Sequence, residues 1–293
     1  MYIVMDDIIS GERIQLIANA TLGYSYDFFE NPFILESSEN MEFIDFRCIS
    51  EYDNPCIMFC YGSRIDELSL HMDKFKNPFI LLTHNSDYNI TNCPSVRDII
   101  DSKNLIMWFA QNVEYTHDKI HFLPIGIANR MWEHGNLSIF KNLEVVKKDR
   151  NVYMSFKVET NFEIRSPCLQ ALVQSIDFLP TVPPLENMQL LQRHKFCICP
   201  EGNGVDTPRL WEALYVKTIP ILLRSKFSEN IQYTTNLPMI LLDSWEELDV
   251  ENLPDYQSFD FDVGCKYLSL QFYKSLIEHM SIQFYKSHTE SRI

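Results

Sequence analysis

Short apolar runs rich in aromatic, β-branched and sulfur-containing residues alternate along this chain with stretches of helical periodicity. That alternation limits the fold more than any other feature. Pro55–Cys60 and Pro78–Thr83 read as strands, with helices expected over Arg64–Lys76 and Ser95–Leu105. Ile106–Phe109 and His121–Ile125 are short buried runs. After Gly135 the alternation restarts: strands at Val152–Phe156, Lys195–Cys199, Ile219–Leu223 and Met239–Leu242, and helices at Arg165–Ile176, Leu185–His194 and Pro208–Val216. Strands separated by helices specify βαβ units and parallel sheets. Two such series, split near residues 126–150, predict two Rossmann-like domains facing each other. A long amphipathic segment, Cys265–Phe284, is expected to close the structure as a helix.

At 293 residues the chain is long enough for that plan, with ample apolar residues for a core. Its net charge of −15 argues against general nucleic-acid binding, which needs basic surface to displace counterions. An acidic chain can still carry a local basic pocket for one phosphorylated ligand. No run approaches the roughly 20 apolar residues of a membrane helix, and the N-terminal sequence lacks the basic start of a signal peptide. The expectation is a cytoplasmic protein, in a microbial or viral-host cytosol, or a chain trimmed of its anchor. The eight cysteines include no paired CxxC motifs, and Cys56, Cys60, Cys197 and Cys199 lie inside apolar runs as free thiols would.

Two of only eight glycines fall together in Cys199-Pro-Glu-Gly-Asn-Gly-Val-Asp-Thr-Pro-Arg-Leu-Trp-Glu-Ala-Leu214. This reads as a strand, a tight loop and a helix start. Thr207 suits the N-cap and Pro208 the first helical position. The helix N-terminus offers unpaired N–H groups and a positive dipole to an anion. Arg209 adds a permanent cation suited to bidentate phosphate binding. Glu212, three residues on, shares its face and could accept both hydroxyls of a ribose. Gly202 and Gly204 let the backbone approach a ligand. The same segment also reads as a plain strand–turn–helix with a surface Arg209–Glu212 pair. The spacing fits neither GxGxxG nor GxxxxGK[ST].

The stretch Lys195–Leu222 resembles the C-terminal signature of exostosin-type glycosyltransferases: a strand ending in Cys-Pro, a glycine-containing loop, a Ser/Thr-x-Arg helix start, a Glu, then a Gly-Cys-x-Pro-type strand. It covers about a tenth of the chain and departs at Val216-Lys217-Thr218, after the helix. The resemblance implies an α/β, GT-B architecture of two Rossmann-like domains about a central cleft, with a closing C-terminal helix. The expected division is 1–130 for the acceptor, 131–264 for the nucleotide-sugar donor, and 265–293 as a helical segment packing back on the cleft or the N-terminal domain. It also implies a UDP-sugar as co-substrate and no obligatory metal. Glu212 would bind the ribose and Arg209 the diphosphate, with Glu201, Gly202, Asn203, Gly204 and Thr207 shaping the loop.

An inverting transfer needs a general base near the acceptor hydroxyl, and functional residues gather at the carboxyl ends of parallel strands. Pro78–Leu82 runs into Thr83-His-Asn-Ser-Asp87. Asp87 is the first candidate for the base and His84 the second, with Asn85 and Ser86 beside them toward the acceptor. The same cluster also reads as an Asx-type turn. In the loop after Pro124, Trp132 could stack on a sugar and His134 contact a phosphate or acceptor, or both could be incidental to a linker. Ser155 and Phe156 end the first strand of the second domain, and Arg165, at a helix start, would add a phosphate contact or simply lie exposed.

Asp260-Phe-Asp262 matches a DxD pattern, but such a match is cheap among 40 acidic residues and falls after the sheet is complete. His117 and His121 lack a third ligand. The expected activity is transfer of a sugar from a UDP-sugar, such as UDP-xylose or a neutral hexose donor, to a glycan hydroxyl. The alternatives are a fucosyltransferase-like enzyme using a GDP-sugar and a non-catalytic nucleotide-sugar or carbohydrate-binding protein.

Overall fold

The computed structural model of the chain describes residues 7–22 and 55–290. Cys48 and the N-terminal residues discussed above lie outside them. The chain divides into two compact units. Gly11–Pro124 forms one, together with the C-terminal segment that starts at Leu270; Ile125–Ser269 forms the other, joined by the N-terminal segment ending at Ser10. The change of unit thus falls between Pro124 and Ile125, with a further exchange of the two chain ends.

Among the described residues the first unit holds five parallel strands in sequential order: β1 (Ala20–Leu22), β2 (Cys56–Tyr61), β3 (Phe79–His84), β4 (Leu105–Ala110) and β5 (Ile120–Phe122). Every residue of β2 and β3 is buried. That is why these strands read as continuous apolar runs instead of alternating ones: a parallel sheet is covered on both faces. Met58, Cys60, Leu81, Trp108 and Ala110 join a core with Ile65 and Leu68 and with Val96, Ile99 and Ile100 of the crossover helices. The C-terminal helix, Leu270–Glu290, belongs to this unit and contributes buried Tyr273 and Ile277.

The expected Arg64–Lys76 helix is broken. A 3-10 turn at Gly62–Arg64 leads into Ile65–Ser69, and a second 3-10 turn covers Met72–Lys74. Arg64 spends its guanidinium on Glu67 at 2.8 Å through both Nε and Nη2, and the chain then needs only to return to β3. The next helix stops at Ile100, because Leu105 is already strand.

The second unit holds four parallel strands, β6 (Arg150–Tyr153), β7 (His194–Ile198), β8 (Ile219–Leu223) and β9 (Ile240–Leu242), in that order. Helices Phe162–Leu172 and Pro184–Arg193 link β6 to β7, Pro208–Tyr215 links β7 to β8, and Lys226–Thr235 links β8 to β9. Two parallel α/β units are the build expected of a GT-B chain.

Candidate functional site

The site is assembled at the carboxyl end of β7. Cys199 extends the ladder one residue, its N–H donating to Ile221 O at 2.9 Å, and Pro200 then has no N–H to continue it. The chain turns tightly, with Gly202 N–H donating to Gly204 O at 3.1 Å. Gly202 lets Arg165 come close: a Cβ there would sit 3.2 Å from Arg165 Nη2, and the guanidinium would have to shift by a few tenths of an ångström. Asn161 Nδ2 donates to Gly202 O at 2.7 Å and Arg165 Nε to Glu201 O at 2.8 Å, so the neighbouring helix holds the loop by its carbonyls. Asn203 is exposed at the tip. Thr207 takes the N-cap position and Pro208 opens the helix, but the Thr207 side chain makes no capping bond.

Asp206 fixes where that helix starts. It is 2 % exposed, and both carboxylate oxygens are used: Trp211 Nε1 donates to Oδ1 at 2.6 Å and Ile125 N to Oδ2 at 2.7 Å. Burial lifts its carboxyl to about 7, against the pull of these N–H donors and that of Thr207. Nothing in the sequence marked Asp206, since its partner Ile125 lies 81 residues away.

Arg209 and Glu212 do not form a surface pair. Their side chains are 22 % and 8 % exposed, joined by Arg209 Nε donating to Glu212 Oε2 at 3.1 Å. Arg209 Nη1 also donates to Ser155 O at 2.7 Å and Nη2 to Asn187 Oδ1 at 3.3 Å, with the guanidinium carbon 5.2 Å from the centroid of the Tyr153 ring. Asn187 Oδ1 in turn accepts from Tyr153 Oη at 2.7 Å. Three of five guanidinium N–H groups are spent among the described residues, which leaves two. Glu212 keeps Oε1, with Arg209 its partner among the described residues.

Ser155 therefore meets Arg209 through its backbone carbonyl. Phe156 lies under the second guanidinium, with Arg165 5.8 Å from its ring centroid. Arg165 stands in the first turn of its helix and is half-buried rather than exposed, giving Nη1 to Lys157 O at 2.9 Å. Its pKa is pulled below the ordinary arginine value, first by burial and then by the nearby charge of Arg209. Two guanidiniums that repel each other beside a glycine loop and a helix N-terminus make a field that an anion relieves. Sequence reading missed Tyr153, Asn161 and Asn187. The strand-end position of Tyr153 was the one available signal.

Trp132 and His134 lie on either side of Glu133 at a 3-10 turn. Both are exposed, and their rings stack on each other at 6.4 Å.

At the carboxyl end of β3 the polar cluster separates into distinct roles. His84 is 1 % exposed; its Nε2 faces Pro124 O at 3.1 Å and its Nδ1 accepts Asn85 N–H at 2.8 Å. Those partners assign the neutral Nε2–H tautomer. Burial holds its pKa down at about 4. Asn85 adopts φ 56°, and Ser86 Oγ accepts from Tyr88 N at 3.1 Å, the turn chemistry that such residues favour. Asp87 is exposed.

The Exostosin GT47 domain model matches residues 83–251, more than half of the chain. The chain belongs to the exostosin GT47 family. The match runs from the end of β3 through every strand of the four-stranded sheet, so it takes in both the His84–Asp87 loop and the Arg209–Glu212 helix. A protein of Arabidopsis thaliana named as a probable glycosyltransferase is 30 % identical over 83 residues, which span 27 % of this chain and 16 % of that protein. The solved structure of CalG4, the calicheamicin glycosyltransferase, aligns with a TM-score of 0.34 at 12 % identity, over 88 % of this chain and 81 % of that one. Among the described residues no helix is long and apolar enough to cross a membrane.

Proposed function

We propose that this exostosin-family chain is an inverting glycosyltransferase that moves a sugar from a UDP-sugar to a hydroxyl of a glycan acceptor. The observation that carries the reading is Glu212. A carboxylate 8 % exposed, one turn into a helix, oriented by one arginine and with an oxygen left over, is suited to the paired hydroxyls of a ribose.

The remaining N–H groups of Arg209, the Arg165 charge and the N-terminus of Pro208–Tyr215 supply positive charge where a nucleoside diphosphate would leave. Arg209 thus has two tasks, holding Glu212 and meeting the phosphates. These fixed cations do the work for which a metal is otherwise used, so the reading requires none. Asp87, exposed at the carboxyl edge of the five-stranded sheet, is the general base. It takes the proton as the acceptor oxygen attacks the anomeric carbon, and the bond to the diphosphate breaks on the opposite face. His84 is a positioning residue here, since both ring nitrogens are engaged within the fold. A pentose or neutral hexose is the sugar favoured, because both site arginines already serve the phosphates.

Calorimetric titration with UDP and with GDP, on wild type and on Glu212→Ala, tests the reading. UDP binding that weakens in the variant is expected. Preference for GDP would move the donor to the fucosyltransferase-like alternative. Binding of neither nucleotide would reduce the glycine loop to a structural turn.

A further inference from the structure

At the carboxyl edge of the five-stranded sheet, a buried amide oxygen is left unused among the described residues. Gln111 follows the last residue of β4 and is 4 % exposed, yet its Oε1 has no hydrogen-bond partner among the described residues. Its backbone is well placed, the N–H donating to Thr83 O at 3.1 Å. Thr83 pairs with Ala110 across the ladder, so the next step sets Gln111 beside His84, which itself pairs with Tyr61 of β2.

Thr83, His84 and Asn112, its neighbours at the strand ends, are satisfied. Thr83 Oγ1 accepts from Trp108 Nε1 at 2.8 Å. Both nitrogens of His84 are engaged, as described above. Asn112, in the left-handed region at φ 55°, gives Nδ2 to Ser86 O at 2.9 Å and to Tyr88 O at 3.3 Å, which ties the two strand-end loops together. Those ties hold the His84–Asp87 loop next to Gln111. A second amide oxygen without a partner among the described residues, Asn89 Oδ1, belongs to the same pair of loops, one residue before the Ile90–Val113 bridge.

A buried acceptor left unpaired carries its full desolvation penalty, and native interiors rarely keep one without a reason. Here it stands at the strand ends where parallel α/β sheets place ligands. We infer that Gln111 is a specificity-determining residue of the acceptor subsite and takes the hydroxyls of a neutral sugar. This inference rests on the glycosyltransferase reading. The amide suits that ligand class because it accepts from one hydroxyl and donates to another without a charge. The cation at this edge, Arg64, is already neutralised in a bidentate pair with Glu67, so the edge presents no free basic group to an acidic sugar through that residue.

The test uses saturation-transfer NMR with the methyl glycosides of xylose, galactose and glucuronic acid as probes. UDP is present throughout to occupy the donor site. Wild type is expected to bind the neutral glycosides in preference to the glucuronide. Gln111→Met removes the amide at similar volume and should weaken neutral binding about tenfold, the worth of one or two neutral hydrogen bonds. Its melting temperature should not fall, because no protein partner is lost. Gln111→Asn, which withdraws the amide by one methylene, serves as the second variant should the first fail to fold, and is expected to lose binding as well. Equal binding by wild type and variant overturns the inference, as does a wild type that binds none of the neutral glycosides or prefers the glucuronide. Failure of the donor reading shows separately, in the UDP and GDP titrations, which do not involve Gln111.

Discussion

Lowering the pH should unlock His84, and the size of the effect follows from its surroundings. The imidazole donates from Nε2 to Pro124 O and accepts Asn85 N–H at Nδ1, with 1 % of the residue exposed. Protonation would put a charge in a dry site, and the carbonyl of Pro124 and Asn85 Oδ1, 3.3 Å from Nδ1, offset that cost only in part. Burial accordingly depresses its pKa from 6.5 to about 4. The unfolded chain takes up a proton first as pH falls, so the stabilisation is complete above pH 6.5 and is lost on descending to about 4. A depression of that size corresponds to about 3 kcal/mol. His84→Gln keeps a donor and an acceptor but does not titrate. Urea unfolding of both proteins from pH 7.5 to 4 should show the wild-type advantage shrinking by about that amount. Sugar transfer by the variant at pH 7.5 should stay near wild type, whereas loss of a general base costs roughly 10²- to 10⁴-fold. Parallel stability profiles together with such a collapse in turnover would refute the positioning role and make His84 the base.

Arg209→Met should cost about 3–5 kcal/mol in urea unfolding, because it strands the buried Glu212 carboxylate, and adding Glu212→Gln should recover part of that loss. A cost below about 1 kcal/mol would mean that the pair behaves as an exposed one. Asp206→Asn removes an acceptor from either Trp211 Nε1 or Ile125 N and should cost about 1–3 kcal/mol. Its pH dependence runs opposite to that of His84. With the folded carboxyl raised to about 7, the native state holds a proton that the unfolded chain has released, so wild-type stability declines from pH 4 to 7. The advantage of wild type over Asp206→Asn should therefore shrink as pH rises, and each effect must be read against its own variant.

Much of the candidate site was legible because its signals are local. The Cys-Pro strand end, the paired glycines, Pro208 at the helix start and the three-residue spacing of Arg209 and Glu212 all lie within one short segment. The reading of that pair as a surface feature failed for a physical reason. Exposure depends on Ser155, Asn187 and Tyr153, which surround Arg209 from elements up to 56 residues away in sequence. Gln111 carried the same signal as His84, a polar residue at the end of an apolar run, but its amide stands out only once its neighbours are seen to be satisfied.

By itself the sequence determined the parallel α/β plan, since strand and helix periods are set by nearest neighbours along the chain. It also set the glycine loop, the helix start after it and the Arg209–Glu212 spacing. Tertiary structure decided which of those residues are bound up in the fold and which are left for a ligand. It placed His84 against Pro124, buried and with both ring nitrogens hydrogen-bonded. It set Asp206 between Trp211 and Ile125 and left Gln111 Oε1 buried without a partner among the described residues. Desolvation and hydrogen-bond satisfaction are properties of the packed neighbourhood, and chain segments far apart in sequence supply that neighbourhood.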